Sequence, residues 1–213
     1  MIHWKEQLQQ TLWAVDRIGG ETERLLILPP ADEDDVRTME SELGHALPPA
    51  MRGVMMGFSS RVHLGWSLPE GFVLPDPLRG LFGGQLTWDL MGLSELLSDA
   101  DEWAQSLFDD PPDPELPLQD KLVFMQAGNG DFLAVDLAPE RCGQVVYLAR
   151  SGGPADGYLL ARDFEDLLNR WLPLGCVGAE AWQWRPFTSG PTSGLDPECE
   201  NARLWRKLLF REP

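Results

Sequence analysis

Asn129-Gly130 sits between two strand-like runs, Lys121 to Ala127 and Asp131 to Leu137. A two-residue type I′ turn needs positive φ at both central residues, and Asn-Gly tolerates that best. The middle of the chain is therefore committed to an antiparallel hairpin. Gln144 to Ala149 supplies a third strand, and Tyr158 to Ala161 a fourth after Asp156-Gly157. Upstream, Val62, Leu64 and Trp66 alternate as a strand does, and so do Leu86 and Trp88.

Helical spacing flanks these strands on both sides. Trp4, Leu8, Leu12, Val15 and Ile18 form one stripe, which Gly19-Gly20 stops. Asp32 caps a second helix, with Glu33, Asp34 and Asp35 at its positive start and Val36, Met39 and Leu43 facing inward. Gly44 ends it, and Leu47-Pro48-Pro49 opens a third. Leu93, Leu96, Leu97, Ala100, Ala104 and Leu107 make another apolar face. Asp163 caps a helix whose Phe164, Leu167, Leu168 and Trp171 repeat at i, i+3, i+4 and i+7. Phe187 to Gly194 reads as a surface linker, and Asp196-Pro197 as the start of a last helix carrying Leu204, Trp205, Leu208 and Leu209. Helices, then strands, then helices predict an α+β fold. The expected form is a single domain, with a largely antiparallel sheet of about five to six strands flanked by helices.

Charge narrows the partners. The 213 residues carry 17 Lys and Arg against 34 Asp and Glu, a net charge of −17. Phosphate neutralisation supplies most nucleic-acid affinity, so no nucleic-acid partner is expected, and an anionic membrane surface is disfavoured likewise. The longest aliphatic run, Leu25 to Leu28, is too short to cross a bilayer. The opening residues show no leader pattern, and Cys142, Cys176 and Cys199 are scattered. Together these predict a cytoplasmic protein free of disulfides.

Reactive chemistry finds little support. His3, His45 and His63 stand apart from one another and from the cysteines, so no metal site is expected. Ser59-Ser60 lacks a nucleophile elbow. Gly128-Asn129-Gly130 lies between strands rather than before a helix, which suits a turn and not a phosphate loop. No cofactor and no enzymatic activity are expected. Asp136 falls inside an apolar strand, where the plainer role is to orient a neighbouring loop.

The acidic residues are unevenly placed. No Lys, Arg or His lies between Arg79 and Lys121. On the helix from Leu93, Glu95, Asp99 and Glu102 fall at i, i+4 and i+7, with Asp101 beside them and Asp109-Asp110 in the loop beyond. Such a face is either simply solvated or a docking surface for a basic protein, whose association its field would accelerate.

Several stretches resemble one known family. Leu28-Pro29-Pro30-Ala31, Glu40, Leu43-Gly44 and Leu47-Pro48 are followed by Gly80-Leu81-Phe82-Gly83 and a helix with Leu96 and Trp103. Then come Gly128-Asn129-Gly130-Asp131, Leu133 to Asp136, Gly143 to Val146, Leu160-Ala161, Phe164 and Leu168, with Trp171 close behind. In this order they resemble the SUKH superfamily, named for its Smi/Knr cell-wall-regulator members. Phe58-Ser59-Ser60 departs from that pattern, where an acid or amide followed by glycine is usual.

The resemblance covers residues 1–172, including the amino-terminal helix 1–18. Residues 173–213 are left as an extension, with a helix from about 197, packed on or beside the same domain. It implies a binding function without catalysis. Many bacterial members are similar to immunity proteins that block toxins, which makes a basic, nuclease-type toxin domain the expected partner. The fungal members are regulatory hubs of wall synthesis, a scaffolding alternative. An enzyme is the remote third.

Overall fold

The computed structural model of the chain describes residues 2–106, 120–150 and 153–211. Among them, eight strands form two four-stranded sheets, with every strand pair antiparallel. In the first sheet β3 (Arg61–Ser67) is central. It pairs along its full length with β4 (Gly83–Asp89), from Arg61 opposite Asp89 to Ser67 opposite Gly83. On its other side lie two short strands in succession, β1 (Glu21–Thr22) and β2 (Leu26–Ile27). The second sheet is a meander of β5 (Lys121–Gln126), β6 (Phe132–Asp136), β7 (Val145–Leu148) and β8 (Leu159–Ala161).

The α+β class stands, and the strands divide in two where sequence suggested one sheet. The division follows from α4 (Leu93–Ser106), which sits between β4 and β5 in sequence and lays Ala100 on Val123, Phe132, Ala134, Val146 and Leu148. The short β1 and β2 carry too little periodicity to be seen in advance.

The helices follow their caps. α1 (Ile2–Arg17) ends before Gly19, at φ +83°. In α2 (Glu33–Leu43) the Asp32 carboxylate accepts from the Asp34 and Asp35 amides at 2.9 Å, and Gly44 closes the helix at φ +75°. Pro48 precedes α3 (Pro49–Gly57), and Glu40 reaches forward to accept from the Leu47 amide at 2.9 Å. The Asp163 carboxylate starts α5 (Phe164–Trp171) by accepting from the Asp166 amide at 2.7 Å.

α5 joins the two sheets. The Phe164 ring stands edge-on to Trp88 of β4 at 5.6 Å and to Phe124 of β5 at 5.0 Å. Leu168 and Trp171 are buried beside it, the Trp171 indole donating to the Val177 carbonyl at 2.9 Å.

Three expectations need correction. The hairpin turn is not type I′: Gly130 has φ +88°, but Asn129 does not have positive φ. Gly130 N donates to the Ala127 carbonyl at 2.9 Å and Ala127 N to that of Asp131 at 2.8 Å, the pattern of a three-residue loop closed by a left-handed glycine. The Asn129 side chain is used instead to bind Asp131. Phe187 is not in a surface linker but fully buried. The last helix, α7 (Glu200–Leu209), begins three residues later than Pro197, capped by the Cys199 sulfur.

The described residues beyond 172 contribute Leu174, Trp184, Phe187, Trp205 and Leu209 to the core. Trp205 of α7 stacks on Trp66 of β3 at 6.2 Å, and the two indoles donate to the carbonyls of Leu174 and Gly175. Between them, α6 (Ala181–Trp184) is a single turn that docks on the start of β4.

Candidate functional site

The first sheet has one covered face and one open one. Period-2 alternation sends Val62, Leu64 and Trp66 of β3 and Leu86 and Trp88 of β4 into the core. The opposite parity, His63, Gly65 and Ser67 with Gly83 and Gln85, faces a groove of about 390 Å³. Glu21, Thr22 and Glu23 form one wall; Gly178, Glu180 and Gln183 form the other.

Each wall is fixed by specific contacts. Glu23 N donates to the Gly65 carbonyl at 2.8 Å, and the Glu23 carboxylate folds back over β3. A Cβ on Gly65 would stand 2.5 Å from that carboxyl carbon, so the absence of a side chain there makes the position possible. Glu23 Oε2 lies 2.6 Å from His63 Nε2, and His63 Nδ1 lies 3.0 Å from Thr87 Oγ1. Opposite, the buried Gln183 accepts from the Phe82 and Gly83 amides at 3.1 Å and donates to Glu180 Oε2 at 2.5 Å. Gly178, at φ +79°, donates to the Gly83 carbonyl at 2.8 Å and holds the turn against β4. The rim carries one large exposed aromatic, Phe82, at 52% exposure.

The hairpin comes to the same place. A Cβ on Gly128 would lie 3.0 Å from Glu180 Oε1, and Gln85 Nε2 reaches the Gln126 carbonyl at 3.5 Å. Phe82, Gly83 and Gly128, from two separate parts of the sequence, thus meet at one groove, while Gly80 lies outside its lining. The sequence model of the SMI1/KNR4 family (SUKH-1) matches residues 30–170, well over half of the chain and including Phe82, Gly83 and Gly128. The chain belongs to the SMI1/KNR4 family. No curated protein matches it.

Asp131 and Asp136, also within the matched range of this SMI1/KNR4 chain, make structural contacts. Asp131 anchors the hairpin: Oδ2 accepts from Asn129 Nδ2 at 2.6 Å and from the Tyr147 hydroxyl, while Oδ1 accepts from the Arg150 amide at 2.7 Å. Tyr147 OH in turn accepts from Ala181 N at 3.2 Å, tying the hairpin to α6. Burial, reinforced by the bond to Asp131, pushes the Tyr147 hydroxyl pKa well up and keeps it a donor.

Asp136 is buried, and desolvation pushes its pKa upward. The Arg141 guanidinium at 2.9 Å, the Ala138 amide at 2.9 Å and the Lys121 ammonium at 3.3 Å outweigh it, so the carboxyl stays below its usual range. An ionised carboxylate with every oxygen engaged orients the 137–141 turn. The departure at Phe58-Ser59-Ser60 also has a packing role: Ser59 is buried, its Oγ 2.8 Å from the Leu28 carbonyl, and its own carbonyl accepts from the Trp88 indole at 3.0 Å.

Glu95, Asp99, Asp101 and Glu102 all lie exposed on α4, while Asp109 and Asp110 fall outside the described residues. The groove acids were not legible. Glu23 and His63 are 40 positions apart, and Glu180 and Gln183 belong to a turn with no periodic signal. Among the described residues no group of three His, Cys, Asp or Glu could hold a metal ion, and no helix is long and apolar enough to cross a membrane.

Proposed function

We propose that this SMI1/KNR4 chain is a non-catalytic, cytoplasmic protein-binding domain that neutralises a basic, nuclease-type toxin domain, as bacterial immunity proteins of the wider superfamily do. The observation that carries the reading is the acidic face of α4. Glu95, Asp99, Asp101 and Glu102 are exposed together, and no basic residue lies between Arg79 and Lys121 to dilute their field. A nuclease site is basic because it must hold phosphates, and a protein carrying −17 can occupy that place.

Screening confines the field to about 8 Å at physiological salt, so its benefit lies in the association rate. Reversing Asp99 and Glu102 to lysine should slow association with a basic nuclease toxin domain roughly ten- to a hundredfold at low salt, and less at high salt. The fold should be unaffected, because exposed acids carry little stability. Stopped-flow association at two salt concentrations is the measurement. Unchanged rates at both would move the docking surface away from α4, and failure to inhibit any basic nuclease domain would remove the neutralising role.

A further inference from the structure

We infer that the groove on the open face of the first sheet seats one arginine or lysine side chain, presented by an extended segment of a protein partner. The inference rests on the reading of the chain as a partner-binding domain and gives it a second, short-range contact distinct from the α4 field.

Shape comes first. The floor is largely main chain, because Gly65 and Gly83 contribute no side chains, and Gly178 adds none to the far wall. Gly83 is not replaceable: a Cβ there would come within 2.7 Å of the Trp66 carbonyl. The space is therefore built into the backbone. At about 390 Å³ and open along one side, it admits a long side chain entering from a passing strand.

The chemistry of the walls selects the occupant. Glu21 and Glu23 stand on one side and Glu180 on the other, and among the lining residues only His63 can carry positive charge. His63 is already held between Glu23 and Thr87. Glu180 is not a free-swinging surface acid, since Gln183 Nε2 holds its Oε2 at 2.5 Å and Gln183 is itself clamped by two β4 amides. A carboxylate fixed in advance binds a guanidinium or ammonium without losing side-chain freedom. At the rim, Phe82 is half exposed although Leu81 beside it is buried. A phenyl face at the mouth of an acidic groove is placed to cover the aliphatic stem or the cationic head of an entering side chain. The same three carboxylates repel phosphate and carboxylate ligands.

The test uses the full-length, 15N-labelled protein and the peptide acetyl-Gly-Gly-Arg-Gly-Gly-amide, beside the same peptide with citrulline, which keeps the shape and removes the charge. The arginine peptide should shift the amides of Gly65, Gly83, Gly84 and Gly178 in a saturable way. Citrulline should bind at least about tenfold more weakly, as should the arginine peptide to the Glu23→Gln, Glu180→Gln double variant, since losing a close charge partner is worth roughly one decade of affinity. Glutamine keeps an acceptor for His63 and Gln183, so the fold should survive. Phe82→Ala, which alters no carboxylate, should also weaken binding and serves if the double variant unfolds. Equal binding of the citrulline peptide would overturn the proposal, and so would arginine shifts confined to the amides of α4. A peptide that binds the groove of a protein unable to inhibit a nuclease domain would leave this site standing and remove the toxin; inhibition with an unresponsive groove would do the reverse.

Discussion

The two sheets differ in how many faces they bury. Every residue of β6 and β7 is buried, because the main core covers one face of the second sheet and α4 covers the other. In the first sheet only one face is packed, and β4 alternates between buried and half-buried positions along most of its length. A sheet covered twice is a scaffold. One covered once leaves a face open, and here that face is floored by glycines, walled by carboxylates and edged by Phe82. The second sheet supplies the doubly packed layer and the first an open face, with α5 coupling them through Phe164.

That coupling can be broken at one residue. Phe164 is fully buried and touches aromatic rings of both sheets. Phe164→Ala should cost about 3–5 kcal/mol, the usual range for deleting a core aromatic. Because both sheets lose a neighbour, thermal unfolding should stay a single transition at a lower temperature. Calorimetry would decide: two separated transitions would mean that the sheets are independent units and that α5 does not couple them.

What was legible follows the same division. The strands of the second sheet are read from continuous apolar runs such as Phe132 to Val135, and the hairpin between β5 and β6 from Asn129-Gly130. The helices are read from Asp32, Gly44 and Asp163, each at the cap expected of it. The groove was not legible, because it is made by what is missing at Gly65 and Gly83 and by contacts across long stretches of chain, such as Glu23 with His63 and Gln183 with Phe82. Periodicity reports which face is buried; it says little about which residues meet on the face left open. The exact turn type escaped for a related reason, since Asn129 is spent on binding Asp131 rather than on a left-handed backbone.

A smaller effect tests how α5 is held. Asp166 accepts from Arg162 at 2.9 Å and Arg170 at 2.7 Å, and Arg170 passes the connection on to the Leu195 carbonyl. Burial acts to raise the carboxyl pKa, but the two guanidinium groups and the Arg162 amide prevail and hold it at about 2. A folded pKa below the unfolded value of about 3.9 means the stabilisation is present above pH 4 and lost as pH falls through 2. Asp166→Asn should therefore cost roughly 2 kcal/mol at pH 7, with the gap about halved at pH 3. Urea unfolding at both values is the check. A gap that stays constant with pH would show that the ion pairs are not what holds this helix, and that α5 is seated on the sheets by Phe164 and its apolar neighbours alone.

The smallest expected effect lies on the open face itself. Gln85 is half-buried in the groove, opposite Gly65 on the neighbouring strand, and its side chain reaches the Gln126 carbonyl only across a long 3.5 Å. A bond of that length contributes little, and the backbone of β4 at this point is secured separately, the Gln85 amide donating to the carbonyls of Cys176 and Gly178 at 3.0 Å. Gln85→Ala should therefore change stability by no more than about 0.5 kcal/mol, as substitutions away from packed or strained positions do. Removing the amide also widens the groove without touching a carboxylate, so binding of the arginine peptide should fall far less than in the Glu23→Gln, Glu180→Gln variant. Thermal melting and the peptide titration together give both numbers. A loss of several kcal/mol would mean that the open face is structurally committed after all, packed by its polar side chains as tightly as β6 is by its apolar ones, and the contrast between the two sheets would fail.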